Sequence, residues 1–129
     1  MPGAALIPEL DTTNITHTIE KGTDPRVEMY SAFYAPLKSP RISDSGLADL
    51  LREAGTTHVY VVGLAADYCV RSTAADAVRE GFVAVVIEEA TRAVDPERWE
   101  VCKEEMEREE GVRVVSWDGE EVRRLFAGE

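Results

Sequence analysis

Several simple kinds of site are excluded by what this chain has little of. It has two histidines and two cysteines in 129 residues. His17 and His58 have no partner at metal-ligand spacing, and each reads as a satisfied structural histidine in a strand pattern. Cys69 and Cys102 stand far apart, outside any Cys-x-x-Cys pattern, so neither a zinc site nor a disulfide framework is signalled and a reducing cytoplasm is the expected setting. No apolar run reaches membrane-spanning length, and Met1 to Leu10 lacks the basic flank and long apolar stretch of a signal peptide. Basic charge is scarce as well, with 14 Lys and Arg against 25 Asp and Glu and a net charge of -11. Repulsion of that size disfavours nucleic acid and anionic membrane as partners and leaves a small neutral molecule unaffected.

What remains is the composition of an ordinary globular protein, 44% hydrophobic and 30% charged, and one domain over residues 1–129 is expected. From Thr16 onward short β-branched runs alternate with helical periods, which predicts an α/β fold with a three-layer parallel sheet and flanking helices. Thr16 to Glu20 reads as a first strand, weakened by His17 and Glu20. Ser43 to Ala54 is a crossover helix through Leu47, Leu50 and Leu51, capped by Ser43 or Ser45 and ended by Gly55. His58 to Gly63 is apolar enough for a central strand covered on both faces. A helix carrying Val70, Thr73, Ala74, Ala77 and Val78 closes at Gly81 before a buried strand from Phe82 to Ile87. Asp95-Pro96 opens a third helix with a cap and an N1 proline, and Trp99, Cys102 and Met106 form its inward face. Val112 to Ser116 is the last strand, followed by a helix with a capping box from Asp118 to Glu121. The glutamates at 104, 105, 107, 109 and 110 read as a solvated face.

The chemistry concentrates at Gly63-Leu64-Ala65-Ala66-Asp67-Tyr68-Cys69-Val70. A strand ends in glycine, turns through small residues and delivers a cysteine to the start of a helix, at the sheet end where α/β proteins bind ligands. Helix N–H groups there stabilise a thiolate and can hold an oxyanion, which makes Cys69 a candidate nucleophile; the competing reading is a small buried hydrophobe. Cys102 lies mid-helix on an apolar stripe and reads as core. Lys21, leaving the first strand before Gly22, is placed to organise charge near the same edge or to stand on the surface. Tyr30, Phe33 and Tyr34 lie in the long stretch from Gly22 to Pro40, where they either wall a pocket for a flat ring or pin the loop to the domain.

Gly63 to Val70, continued by Arg71-Ser72-Thr73-Ala74, closely resembles the nucleophile signature of the nicotinamidase and isochorismatase-like cysteine hydrolases. Lys21-Gly22-Thr23-Asp24-Pro25 with Tyr30-Ser31-Ala32-Phe33 looks like that family's catalytic-lysine segment, in its nicotinamidase branch, and Pro2-Gly3-Ala4 with Pro8 and Leu10 resembles the stretch before it. The likeness spans essentially the whole chain. It implies a Cys-Asp-Lys triad hydrolysing nicotinamide to nicotinate and ammonia in NAD salvage, with Cys69 attacking the carboxamide and Lys21 steadying charge. It also implies an oxyanion turn at Ala65 and Ala66 with a cis peptide between them, donors at Ala66 and Cys69, and a pocket including Tyr68, Tyr30 and Phe33. The family's triad aspartate, its central strand and the ligands of a divalent, zinc-like metal precede the equivalent of Pro2, so their absence predicts part of a catalytic domain, a sheet open between the first two strands, and no metal site in this chain. Another small amide as substrate, or a non-catalytic fragment serving as an assembly partner, are the alternatives, and any self-association is expected to give a homo-oligomer.

Overall fold

The computed structural model describes residues 17–19, 31–33 and 45–126. Among them a three-stranded parallel sheet runs in the order β1 (His58–Leu64), β2 (Val83–Arg92), β3 (Arg113–Val115). Helix α1 (Leu47–Glu53) precedes β1, and a π-helical turn (Ala66–Val70) leads into α2 (Arg71–Arg79). A 3-10 turn (Pro96–Arg98) leads into α3 (Trp99–Glu109), and α4 (Glu120–Phe126) follows β3. The expected α/β class with a parallel sheet and flanking helices is what forms.

Alternation along the strands divides the side chains between two faces. Val61, Phe82, Ala84, Val86 and Val112 form one buried cluster with Val70, Ala74 and Ala77 from the turn and α2, and with Cys102 and Met106 from α3. Leu47, Ala48 and Leu51 pack α1 against the same cluster. Val85 and Ile87 are buried on the opposite face, where α4 contributes Glu121, Arg124 and Leu125 to a hollow shared with Tyr60. The expected inward face of the third helix is thus the observed one. Gly81, at φ 95°, turns the chain from α2 into β2 in a conformation that a side chain would strain.

The strand order corrects one expectation. β2, not the segment from His58 to Gly63, is central in the described sheet, and β1 lies at its edge. Apolar composition made β1 look doubly covered, yet Val62 is 51% and Leu64 76% exposed. Residues 17–19 are not in a strand, so the first predicted strand does not form over its described part; Thr16 and Glu20 lie outside the described residues.

Three helix starts also differ in their chemistry. Gly46, in the left-handed region, occupies the N-cap of α1, while Ser45 Oγ accepts the Leu47 N–H at 3.2 Å; Ser43 lies outside the described residues. Asp95 makes no side-chain cap to the turn it precedes, and its backbone N–H donates to Asp67. The capping box does not form, since Glu121 pairs with Arg113 and the Asp118 carboxylate accepts from Ser116 Oγ.

Polar contacts fasten the elements together at the β2 end. Glu88 accepts from Trp99 Nε1 at 3.0 Å and from Lys103 Nζ at 2.5 Å, and Glu89 accepts the Trp117 N–H at 2.8 Å. The Lys103 ammonium, bonded to Glu88, holds that carboxyl below the usual glutamate range against an opposing burial effect, and the bond raises Lys103 in turn. A depressed acid adds stability above its unfolded pKa and loses it as pH falls through the folded one; a raised base adds stability below its unfolded pKa and loses it as pH rises through the folded one. The pair therefore contributes fully between the ordinary values of 4.5 and 10.5. Urea midpoints should fall on the acid side of that window, and Lys103→Met should make the fall shallower. Met106, fully buried at the centre of the core, should cost about 2–5 kcal/mol when truncated to alanine, read from the same urea transitions.

Candidate active site

The site begins where β1 and β2 lose simple register. Val61 pairs with Val86, but Gly63 pairs with Thr91, so β2 carries extra chain past the break. Thr91 is buried and its Oγ1 donates to the Gly63 carbonyl at 2.6 Å, which fixes the end of β1 against β2. Gly63 has φ 102°, a conformation that favours glycine, and Leu64–Ala65 is a cis peptide. The cis bond was expected one residue later, between Ala65 and Ala66. β1 runs through Leu64, and Ala65 already acts as the N-cap of the turn.

The Ala65 carbonyl accepts from Tyr68 N–H at 3.1 Å and from Val70 N–H at 3.0 Å, the second being the wide bond of a π turn. Ala66 and Val70 point into the core, and Cys69 is left partly exposed between them in sequence. The Asp67 carboxylate reaches across to the chain after β2, accepting the N–H groups of Val94 at 2.9 Å and Asp95 at 3.0 Å. Burial pushes the Asp67 carboxyl up, but these bonds and its own backbone N–H outweigh it and hold the pKa below the usual aspartate value. With both oxygens committed to backbone amides, Asp67 is not placed as the proton acceptor of the neighbouring thiol.

Cys69 opens onto an apolar trough of about 350 Å³ lined by Ala32, Val59, Val61, Leu64, Val70 and Thr73, among others. That volume lies at the small end of the range for ligand sites. One wall comes from the loop, where the Ala32 N–H donates to Thr73 Oγ1 at 2.9 Å and the Ser45 N–H to the Phe33 carbonyl at 2.8 Å.

Of the proposed aromatic walls, the described Phe33 and Tyr68 do not line that trough. Phe33 is fully buried and stacks on Phe82 with ring centroids 6.4 Å apart, so it pins the loop to the core. Tyr68 faces a different hollow, with Asp67, Arg71, Asp95 and Arg98, because successive residues of the turn point to different sides. Lys21, Tyr30 and Tyr34 lie outside the described residues.

Cys102 is core, as its place in the sequence required. It is 7% exposed, and burial pushes its thiol up in pKa, only partly offset by the Arg71 guanidinium with Nη1 at 3.6 Å. Arg71 also donates from Nε to Glu110 at 2.7 Å and from Nη2 to Glu105 at 3.2 Å. The acidic run on α3 is therefore not wholly a solvated face. This clasp and the Asp67 tie escaped the sequence reading, because nothing local in the sequence brings positions this far apart together. The recurrence of an acid at positions 105 and 110 was the one available signal.

A parallel sheet that ends a strand in a fixed turn and presents a cysteine beside an apolar trough puts that cysteine at the sheet end where α/β proteins bind ligands. The Isochorismatase domain model matches residues 1–119, and the chain belongs to that family. The nicotinamidase of Acinetobacter baylyi is 40% identical over 92 residues, covering 71% of this chain and 42% of that protein. The crystal structure of PnC1 from L. infantum in complex with nicotinate superposes with a TM-score of 0.80 at 37% identity, covering 90% of this chain and 56% of that one. The pyrazinamidase of Pyrococcus horikoshii in complex with zinc gives 0.62 at 35% identity, covering 74% and 48%. The chain thus spans about half the length of the relatives it matches.

Zinc in that last structure fits the family expectation of a divalent metal. Among the described residues of this chain no group of three or more His, Cys, Asp and Glu converges as a metal ion requires, so they do not supply such a site. His58 is exposed and its Nδ1 lies 2.9 Å from Thr57 Oγ1. No helix among the described residues is long and apolar enough to cross a membrane.

The Arg71 clasp gives a direct test of how the helix after the Cys69 turn is held. Arg71→Met leaves two partly buried α3 carboxylates without their cation. It should lower the unfolding free energy by about 1–3 kcal/mol in urea titrations.

Proposed function

We propose that this chain carries the nucleophile of a nicotinamidase-type amidohydrolase, converting nicotinamide and water to nicotinate and ammonia. The observation that carries the reading is the placement of Cys69, on a fixed turn at the carboxyl end of β1 and open to an apolar trough. The names of the similar proteins, nicotinamidases in several organisms and one structure holding nicotinate, favour this amide over others.

In the proposed reaction the Cys69 sulfur attacks the carboxamide carbon and a C–S bond forms. The carbonyl oxygen gathers charge and is held by the backbone N–H groups of Ala66 and Cys69. The C–N bond then breaks, and ammonia leaves with the proton that began on the thiol. Water attacks the resulting thioester, releasing nicotinate and restoring the thiol. Lys21 is assigned the steadying of charge, and the proton passes through a carboxylate other than Asp67, whose oxygens are engaged elsewhere. The trough walls, Val59, Val61 and Leu64, suit the flat apolar faces of a pyridine ring.

Ammonia release from nicotinamide, followed with and without added divalent metal, tests the reading. Release that disappears in Cys69→Ala, a drop of at least about a thousandfold for loss of a covalent nucleophile, is the expected result. No release from a folded chain under any metal condition would overturn catalysis by this chain and leave the alternative of a non-catalytic partner.

A further inference from the structure

We infer that Asp67 is a positioning residue for Cys69, acting by tying the nucleophile turn to the segment that follows β2. The inference rests on reading Cys69 as the nucleophile and adds a residue to its support. The turn needs such a tie. Its own N-terminus has no side-chain cap hydrogen bond, and Ala66 and Val70 anchor only its inner side. Its outer side carries Asp67 and the partly exposed Cys69.

Two fasteners meet it there, both from the same stretch of chain. Thr91 Oγ1 donates to the Gly63 carbonyl at 2.6 Å on the near side of the Leu64–Ala65 peptide. The two oxygens of Asp67 accept the Val94 and Asp95 N–H groups at 2.9 and 3.0 Å on the far side. Residues 91–95 therefore grip the strand-to-turn passage at two points. The geometry at Asp67 is bidentate, which fixes direction as well as distance, and only an ionised carboxylate accepts from both amides. An asparagine keeps one acceptor and turns an N–H₂ group toward the second donor. A nucleophile displaced by an ångström loses its alignment with the N–H groups around it, so the tie acts on the reactivity of the thiol and not on stability alone.

The experiment is alkylation of the full chain by iodoacetamide, a small uncharged amide, with the Cys69 and Cys102 peptides resolved by mass spectrometry. Asp67→Asn removes the carboxylate. Val94→Pro removes one of its donors while leaving every charge in place, at a side chain that is largely exposed. Positioning predicts that both variants slow Cys69 in the same direction, by about tenfold, the size of one charge-assisted contact. Met106→Ala, destabilised through the core, should leave the Cys69 rate within about twofold, as a purely structural effect would not separate it from the others. Urea transitions confirm that each variant is folded under the assay conditions. Unchanged Cys69 rates in folded Asp67→Asn and Val94→Pro would overturn the inference. So would opposite changes in the two variants, which would mark a charge effect in place of an anchor. A wild-type Cys69 that reacts no faster than in the urea-unfolded chain would instead remove the nucleophile itself, a failure of the functional reading that is distinct from the failure of the tie.

Discussion

The grip of β2 on the end of β1 is the constraint on which the rest of the site depends. Parallel strands usually advance in step, and here they do so only as far as Val61 and Val86. Beyond that the extra chain of β2 allows Thr91 to return to Gly63 and lets the residues after it reach Asp67. Without the break, β2 would run straight past the turn and its backbone amides would face sheet partners. A local irregularity in pairing therefore converts the edge of a sheet into a holder for a side chain.

Burial and charge divide the two sulfurs along the same lines. Both lie close to α2, yet Cys102 is sealed under an arginine that is itself held by two glutamates, while Cys69 stands in an open trough. The Arg71 network also gives part of the chain's acidity a structural use. Glu105 on α3 and Glu110 at its C-terminal cap hold the first residue of α2, so the helix that follows Cys69 is fixed to its neighbour as well as to the sheet.

The fold class and the place of Cys69 at the end of a strand were legible because both are written in local pattern. Alternating β-branched and helical periods sufficed for the parallel α/β class, and a glycine, small residues and a cysteine after a strand sufficed for Cys69. The order of the strands was not legible, since apolar content cannot distinguish a strand covered on both faces from one such as β1 that leaves Val62 and Leu64 exposed. The caps failed for a related reason. Asp118 and Glu121 have the right spacing to serve their own helix, but Glu121 pairs with Arg113 and the Asp118 carboxylate accepts from Ser116. Phe33 was equally ambiguous, because an aromatic in a loop fits a pocket wall or a core plug until Phe82 is placed beside it.

The inner side of α2 meets the sheet through alanines, with Ala74 and Ala77 fully enclosed against Ala84 and Val86, and Ala66 of the turn is fully buried as well. Small side chains on both surfaces bring helix and sheet close and leave no space for an added methylene. Sequence change in this region is thereby split into two regimes. Positions 66, 74, 77 and 84 accept almost no enlargement, whereas Leu64 and Val62 stand exposed at the end of β1. Packing thus constrains the turn far more tightly than the rim of the trough.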